Sequence, residues 1–301
     1  MFASSEIHAV SVVDDAYVQH LGVALASMLQ HLRPNMKTHI HVIENGLSRD
    51  NRNLLKRIAN RYEAQLHYWK AKGQIPANLH ISRHISEASY YKLLIPELLR
   101  DIASDRVLYL DCDVVVLGDV SGLWNTDMRG RAVAAVRDWG GDERCRELQI
   151  PDPSLYFNAG ILLLDLKQWR TRNLSFQILS FAAHNPDHLY FHDQDAMNAI
   201  LHREWLPLDA KWNYQTNMLT HRKFKKISNP VIVHFTGSSK PWHYDNDHPY
   251  KLKYYEFIKE TDWHDFRPEK RIGARVKRMV KLLLPRHAVA KLARYKAKLV
   301  K

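Results

Sequence analysis

Over the first seventy residues, short unbroken apolar runs alternate with longer stretches whose apolar positions recur at helical spacing. Residues 7–15, IHAVSVVDD, predict a buried strand that runs out into two carboxylates. Val18, Leu21, Val23, Leu25, Met28 and Leu29 then recur at helical intervals. THIHVIE (38–44) predicts a second strand, Ser48 the N-cap of a helix over 48–62, and QLHYWKA (65–71) a third strand. This βαβαβ order predicts a largely parallel, doubly wound sheet, whose ligands sit at the carboxyl ends of the strands.

Farther on, EASYYKLLIPELL (87–99) predicts a helix interrupted at Pro96, RVLYL (106–110) a strand, and DCDVVVLGDV (111–120) a turn into more extended chain. Strands are expected at RAVAAVRD, LYFNAGILLLDL and NPVIVHF, and helices at SFQILSFAAHN and DQDAMNAILH. No repeat and no Gly/Ser/Pro-rich linker divides the chain, so one catalytic domain over 1–263 with a tail over 264–301 is expected.

Composition narrows the class. The 301 residues are 46% hydrophobic, enough for a sizeable core. The two cysteines, Cys112 and Cys145, form no CxxC, which argues against a disulfide framework or a zinc–thiolate site and for a reducing, cytoplasmic setting. The N-terminus lacks a signal-peptide pattern, and no apolar run reaches the ~20 residues of a membrane-spanning helix. The net charge of +12 suggests nucleic acid until it is located: residues 270–301 hold 7 Lys, 5 Arg and no acid, which accounts for all of it.

The chemistry of the body centres on carboxylates. DxD occurs at 111, 193 and 245. Two carboxylates that share one target raise each other's pKa unless a cation satisfies them, and oxygen ligands suit Mg²⁺ or Mn²⁺. The bland alternative is a polar turn closing a buried strand. LYLDCDVV also looks like the haloacid-dehalogenase-type phosphohydrolase signature, in which the first Asp is a nucleophile. That reading expects the motif near the start of its domain, whereas about a hundred residues of βαβ pattern precede Asp111 here.

DDAYVQHLGVALASML, ISEASYYKLLIPELL, VLYLDCDVVV, YFNAGILLLDLKQW, HDQDAMNAIL and HFTGSSKPWH occur in that order. Together they resemble glycosyltransferase family 8, the retaining enzymes of bacterial lipopolysaccharide outer-core synthesis. The resemblance implies a GT-A fold, a Rossmann-like nucleotide-binding sheet with a mixed acceptor-side region. It implies a UDP-glucose or UDP-galactose donor, a glycan or lipid-linked glycan acceptor, and Mn²⁺ or Mg²⁺ on Asp111, Asp113 and His234. By the same likeness Asp14 would accept from the uracil, Tyr17 would stack on it, and Val12, Cys112 and Ala159 would complete the donor contacts. Gly237 and Lys240 would meet the diphosphate, and Lys92, which stands where relatives commonly carry Arg, would lie near the donor with the charge but without the bidentate fork. Asp138 and Asn158 would contact the sugar, with Gly160 allowing close packing. Asp193, also a good N-cap, and Gln194 would lie at the anomeric carbon. Ala16 replaces an Asn common in the family, so one base contact is expected to be missing.

In the tail, Ile272, Val276, Met279, Val280 and Leu283 fall at helical spacing among Arg and Lys, and the pattern resumes after Pro285. Basic amphipathic helices of this kind suit the anionic surface of the inner membrane, as a peripheral attachment, or else pack on the body as ordinary helices. With one aromatic residue, Tyr295, the basic segment 270–301 does not favour nucleic acid.

Overall fold

A computed structural model describes residues 6–71, 73, 87–221, 227 and 229–268. The basic segment 270–301 and its expected helices lie outside the described residues. The strands are β1 (Glu6–Val13), β2 (Lys37–Glu44), β3 (Gln65–Lys70), β4 (Arg106–Leu110), β5 (Val114–Val116), β6 (Val133–Arg137), β7 (Phe157–Asp165), β8 (Leu206–Pro207), β9 (Tyr214–Gln215) and β10 (Ile232–His234). Seven of them form one sheet in the order β3-β2-β1-β4-β7-β6-β8.

The chain winds outward through β2 and β3 and returns to the other side of β1 for β4, all in parallel. The order therefore reverses between β1 and β4, and a crevice opens at their carboxyl ends. Asp14 and Asp111 follow those two ends directly. The sheet is largely parallel, as expected, with β7 running antiparallel between β4 and β6.

The helices α1 (Val18–His31) and α2 (Arg49–Arg61) cover one face of the sheet. There Ile7, Ala9, Ile40 and Val42 pack against Leu21, Leu25, Met28, Leu55 and Ile58. Ser48 caps α2 as expected, its hydroxyl accepting from the Asn51 amide. The other face buries Val10, Ile43, Val107, Tyr109 and Leu162 beneath Tyr90, Tyr91 and Met197. Residues 87–99 differ from the single helix expected. A 3-10 segment (Glu87–Leu94) leads into one α-helical turn (Ile95–Leu98), and Pro96 stands in the first turn of that helix, where its missing N–H costs nothing.

A second sheet, β5-β10-β9, is absent from the sequence reading. β10 pairs antiparallel with β5, placing His234 opposite Val114, and the Phe235 amide donates to the Asp113 carbonyl. Val115, Val233, Phe235, Tyr254 and Phe257 close a core beneath it. Phe266, inside the segment assigned to the tail, packs against that core.

The face of β1–β3 that looks away from α1 and α2 carries a ladder of four histidines. His8 lies opposite His39, and His41 opposite His67. Trp69 Nε1, which can only donate, sits 3.2 Å from His41 Nδ1, so the neutral His41 carries its proton on Nε2 and points it at His8 Nδ1, 3.0 Å away. His8 then presents Nε2–H toward Glu6 at 3.5 Å, and His39 Nε2 meets the same carboxylate oxygen at 2.6 Å. Glu6, His8 and His39 bring three metal-ligand atoms close together. The rings of His8 and His39 stack at 4.4 Å with planes 3° apart, however, and parallel stacked rings cannot both aim an in-plane lone pair at one ion. Stacked in this way, the ladder is not a second metal centre.

Candidate active site

A cleft of about 330 Å³ lies where the strand order reverses, lined by Val12, Val13, Asp14, Tyr17, Lys92, Tyr109, Asp111, Cys112, Asp113, Asp193 and Lys240. Nine of these were singled out from the sequence, and they come from segments as far apart as β1 and the loop after β10.

Asp111 and Asp113 occupy a turn between β4 and β5, as expected. They converge on His234, whose Nε2 is 3.2 Å from Asp113 Oδ1 and 3.8 Å from Asp111 Oδ2. The close approach depends on Gly160, because a Cβ there would strike the His234 ring and come within 2.7 Å of Asp111 Oδ2. The two carboxylates diverge in acidity. Burial, reinforced by Asp113, raises Asp111 in spite of Lys92, with Tyr109 OH donating to it at 2.5 Å. Burial acts on Asp113 too, but His234 and Lys240 outweigh it and hold that carboxyl far below its usual range. Lys240 Nζ lies 2.5 Å from Asp113 Oδ2 and donates to the Phe235 carbonyl.

Lys92, nearly buried, places its ammonium 2.8 Å from Asp193, 3.6 Å from Asp111 and 2.9 Å from the Ala159 carbonyl. Asp193 is the first residue of the helix Asp193–Leu201, not its cap; His192 precedes it in a left-handed backbone conformation (φ 45°). In the first turn the carboxylate favours the helix dipole and turns toward Lys92.

Asp138, Asn158, Ala159 and Gln194 stand behind the lining, bonded to one another. Gln194 Nε2 donates to Asp138 (3.0 Å) and to Tyr156 OH (3.1 Å), while its Oε1 accepts from the Ala159 amide (3.0 Å) and Asn158 Nδ2 (3.2 Å). Both ends of its amide are thereby fixed. Asp195, the second acid of DQD, serves the fold: fully buried, it binds Arg144, Tyr156 OH and the Phe191 amide.

Asp14 Oδ1 accepts from its own turn, from the Ala16 and Tyr17 amides. Tyr17, half exposed, meets the edge-on rings of His20 and Trp242, and Trp242 stacks on His20 at 3.4 Å. Gly237 holds φ +83°, a backbone that L side chains rarely adopt, just beyond His234. Sequence reasoning missed Tyr109, Tyr156 and Asn213, all of which touch site residues, because nothing about an isolated Tyr or Asn signals such contacts.

Comparison with known proteins bears on this arrangement. The family model described as Glycosyl transferase family 8 matches residues 8–246. General stress protein A of Bacillus subtilis (strain 168) is 35% identical over 271 residues, covering 86% of this chain and 95% of that protein. Lipopolysaccharide 1,2-glucosyltransferase of Escherichia coli (strain K12) is 28% identical over 292 residues, covering 92% and 86%. Among solved structures, galactosyltransferase LgtC in complex with donor and acceptor sugar analogs superimposes with a TM-score of 0.75 at 24% identity, over 89% of this chain and 100% of that one. The shared fold is GT-A.

Proposed function

The chain belongs to glycosyl transferase family 8, and from that premise we propose that it is a retaining, metal-dependent enzyme that moves glucose or galactose from a UDP-sugar to a glycan acceptor of the lipopolysaccharide-core kind. Family membership makes it a hexose-transferring glycosyltransferase; the donor, the metal and the acceptor are the proposal. One observation carries it. Asp111, Asp113 and His234 bring ligand atoms within 4.8 Å of one another at the reversal point of the sheet, beside two lysines. The phosphohydrolase reading finds no support among the relatives, and Asp111 follows the fourth strand among the described residues, not the first.

The donor set fits a hard or borderline divalent ion. Two carboxylates and one imidazole suit Mn²⁺ somewhat better than Mg²⁺. Bound there, the ion would neutralise the departing diphosphate as a Lewis acid. The remaining work falls to side chains. Asp14 and Tyr17 hold the uracil, Lys240 swings from Asp113 to the diphosphate, and Asp193, Asp138 and Asn158 orient the sugar. Gln194 offers the anomeric carbon an amide, a poor nucleophile, so front-face substitution is favoured over a covalent intermediate. The bond from C1 to the diphosphate oxygen breaks, the bond from C1 to the acceptor oxygen forms, and the acceptor proton goes to the diphosphate.

Incubation with a panel of UDP-sugars and Mn²⁺, with and without glycan acceptors, is expected to release UDP from one hexose donor. Gln194→Ala is expected to lower turnover by about 10²-fold, the scale of one lost electrostatic donor. Unchanged turnover removes Gln194 from catalysis, and an inverted product removes the retaining assignment.

The basic segment 270–301 supports a peripheral attachment to anionic membrane at the cytoplasmic face. No helix among the described residues is long and apolar enough to cross a membrane. Deleting 270–301 is expected to abolish sedimentation with anionic vesicles while leaving donor hydrolysis intact. Vesicle binding that survives the deletion refutes the attachment.

A further inference from the structure

We infer that Asn213 is a positioning residue which, with Asn158, links Asp138 to His234 through hydrogen bonds that can run in one direction only, and so fixes which ring nitrogen of His234 faces the metal ligands. The inference rests on the metal reading above and concerns Asn213, which that reading leaves without a role.

The chain of assignments starts at Asp138, whose ionised carboxylate can only accept. Its Oδ2 lies 3.1 Å from Asn158 Nδ2, so the Asn158 amide nitrogen faces it. The other end of that amide is tied independently, since Asn158 Oδ1 accepts from the Gly160 backbone N–H at 3.1 Å, a group that can only donate. Asn158 therefore presents an acceptor to Asn213, whose Nδ2 donates to it at 2.9 Å. Asn213 is fully buried. Flipping its amide would set two acceptor oxygens against each other with no water to relieve them, at the full cost of unmade buried hydrogen bonds. Its Oδ1 is thus committed to His234 Nδ1, 3.0 Å away, and His234 Nδ1 must carry a hydrogen.

The consequence falls on the other nitrogen. Nε2 faces Asp113 Oδ1 and Asp111 Oδ2 at 3.2 and 3.8 Å, and an imidazole ligates through the nitrogen whose partner is engaged by such an outer hydrogen bond. The opposite tautomer would set a bare Nδ1 lone pair against the Asn213 oxygen and keep the ring's one proton on Nε2, between His234 and Asp113, where a cation must bind. By offering Nδ1 only an acceptor, the relay disfavours that tautomer. It also joins the sugar-side residues Asp138 and Gln194 to the metal ligands in one connected network.

Full-length wild type and variants are titrated with Mn²⁺ in the presence of UDP, following free Mn²⁺ by electron paramagnetic resonance, and ¹⁵N-histidine spectra of the metal-free proteins report the His234 Nδ1–H. Asn213→Leu, similar in size but without an acceptor, is expected to weaken Mn²⁺ binding about 10- to 100-fold and to lose the hydrogen-bonded Nδ1–H signal. Asn213→Asp keeps an acceptor at Nδ1 but sets its second oxygen against Asn158 Oδ1, so it is expected to retain the Nδ1–H signal and to bind Mn²⁺ more weakly than wild type but more tightly than Asn213→Leu. Asn158→Leu, which touches no metal ligand through its side chain, is expected to weaken Mn²⁺ because Asn213 is then free to flip. Wild-type affinity in Asn213→Leu overturns the inference, as does Asn213→Asp falling as far as Asn213→Leu, which would mean that shape and not the acceptor matters. Should wild type bind no Mn²⁺, the metal reading falls, while the Nδ1–H signal and its loss in Asn213→Leu still decide the relay.

Discussion

Asp113→Ala is expected to lower hexose transfer by roughly 10³-fold, about 4 kcal/mol of barrier, and to eliminate Mn²⁺ binding while leaving the fold intact. Asp113 is the carboxylate that both His234 and Lys240 address, at 3.2 and 2.5 Å, and His234 and Lys240 hold it ionised. Asp111→Ala and His234→Ala should reproduce the loss, because three ligands converging on one point do not act independently. Asp113→Ala gives up the attraction of His234 and Lys240 but also the repulsion from Asp111, and Lys240 keeps its bond to the Phe235 carbonyl, so a modest loss of stability is expected. The check is activity and Mn²⁺ titration on proteins whose thermal midpoints lie within a few degrees of wild type. Mn²⁺ affinity retained in Asp113→Ala would dismantle the proposed site, and a collapsed midpoint would show that the pair holds the fold together.

The parts of this site that could be read from sequence are those for which local pattern and chemistry agree. Asp14 and Asp111 follow apolar strands in a βαβ order, and the rule that ligands gather at the carboxyl ends of a doubly wound sheet places both in the cleft. His234 became a candidate only through resemblance. What brings it to Asp113 is the antiparallel pairing of β10 with β5, a contact between residues more than a hundred positions apart that hydrophobic periodicity does not encode. Asp193 and Asp195 illustrate the same limit. Two acids in one triplet look equivalent, yet one lines the cleft and the other is buried on Arg144, because residues two positions apart on a helix point to opposite sides of its axis. Asn213 and Asn158 were the least legible as a pair, since their importance lies in the order of donors and acceptors along a buried chain, and that order exists only once the backbone has brought Asp138, Gly160 and His234 around them.

The stability of the protein is expected to fall steeply below about pH 6.5, through histidines remote from the chemistry. Burial lowers His8 to about 4 and His41 to about 3 within the β1–β3 ladder, where the neighbouring imidazoles repel any added charge. Burial likewise lowers His20, stacked on Trp242, to about 3 and His248 to about 4. The unfolded chain binds these protons near pH 6.5 and the folded chain does not. The stability contributed by neutral burial is thus complete above that pH and is lost as pH falls from 6.5 toward 4. Each such group contributes a slope of up to about 1.4 kcal/mol per pH unit, so four together can remove much of the ~5–15 kcal/mol that holds a domain folded. Asp111 and Glu97, whose carboxyls burial raises, act in the opposite direction and soften the fall. Urea unfolding at pH 7.5 and pH 5 should therefore show a loss of at least ~3 kcal/mol, more than the two carboxyls can offset. His41→Gln keeps an acceptor for Trp69 and a donor for His8 but cannot be protonated, and it should flatten the slope by about 1.4 kcal/mol per pH unit. An unchanged slope in that variant would mean that the ladder already takes up protons in the folded state, with Glu6, which meets both His8 and His39, as the carboxylate placed to stabilise them.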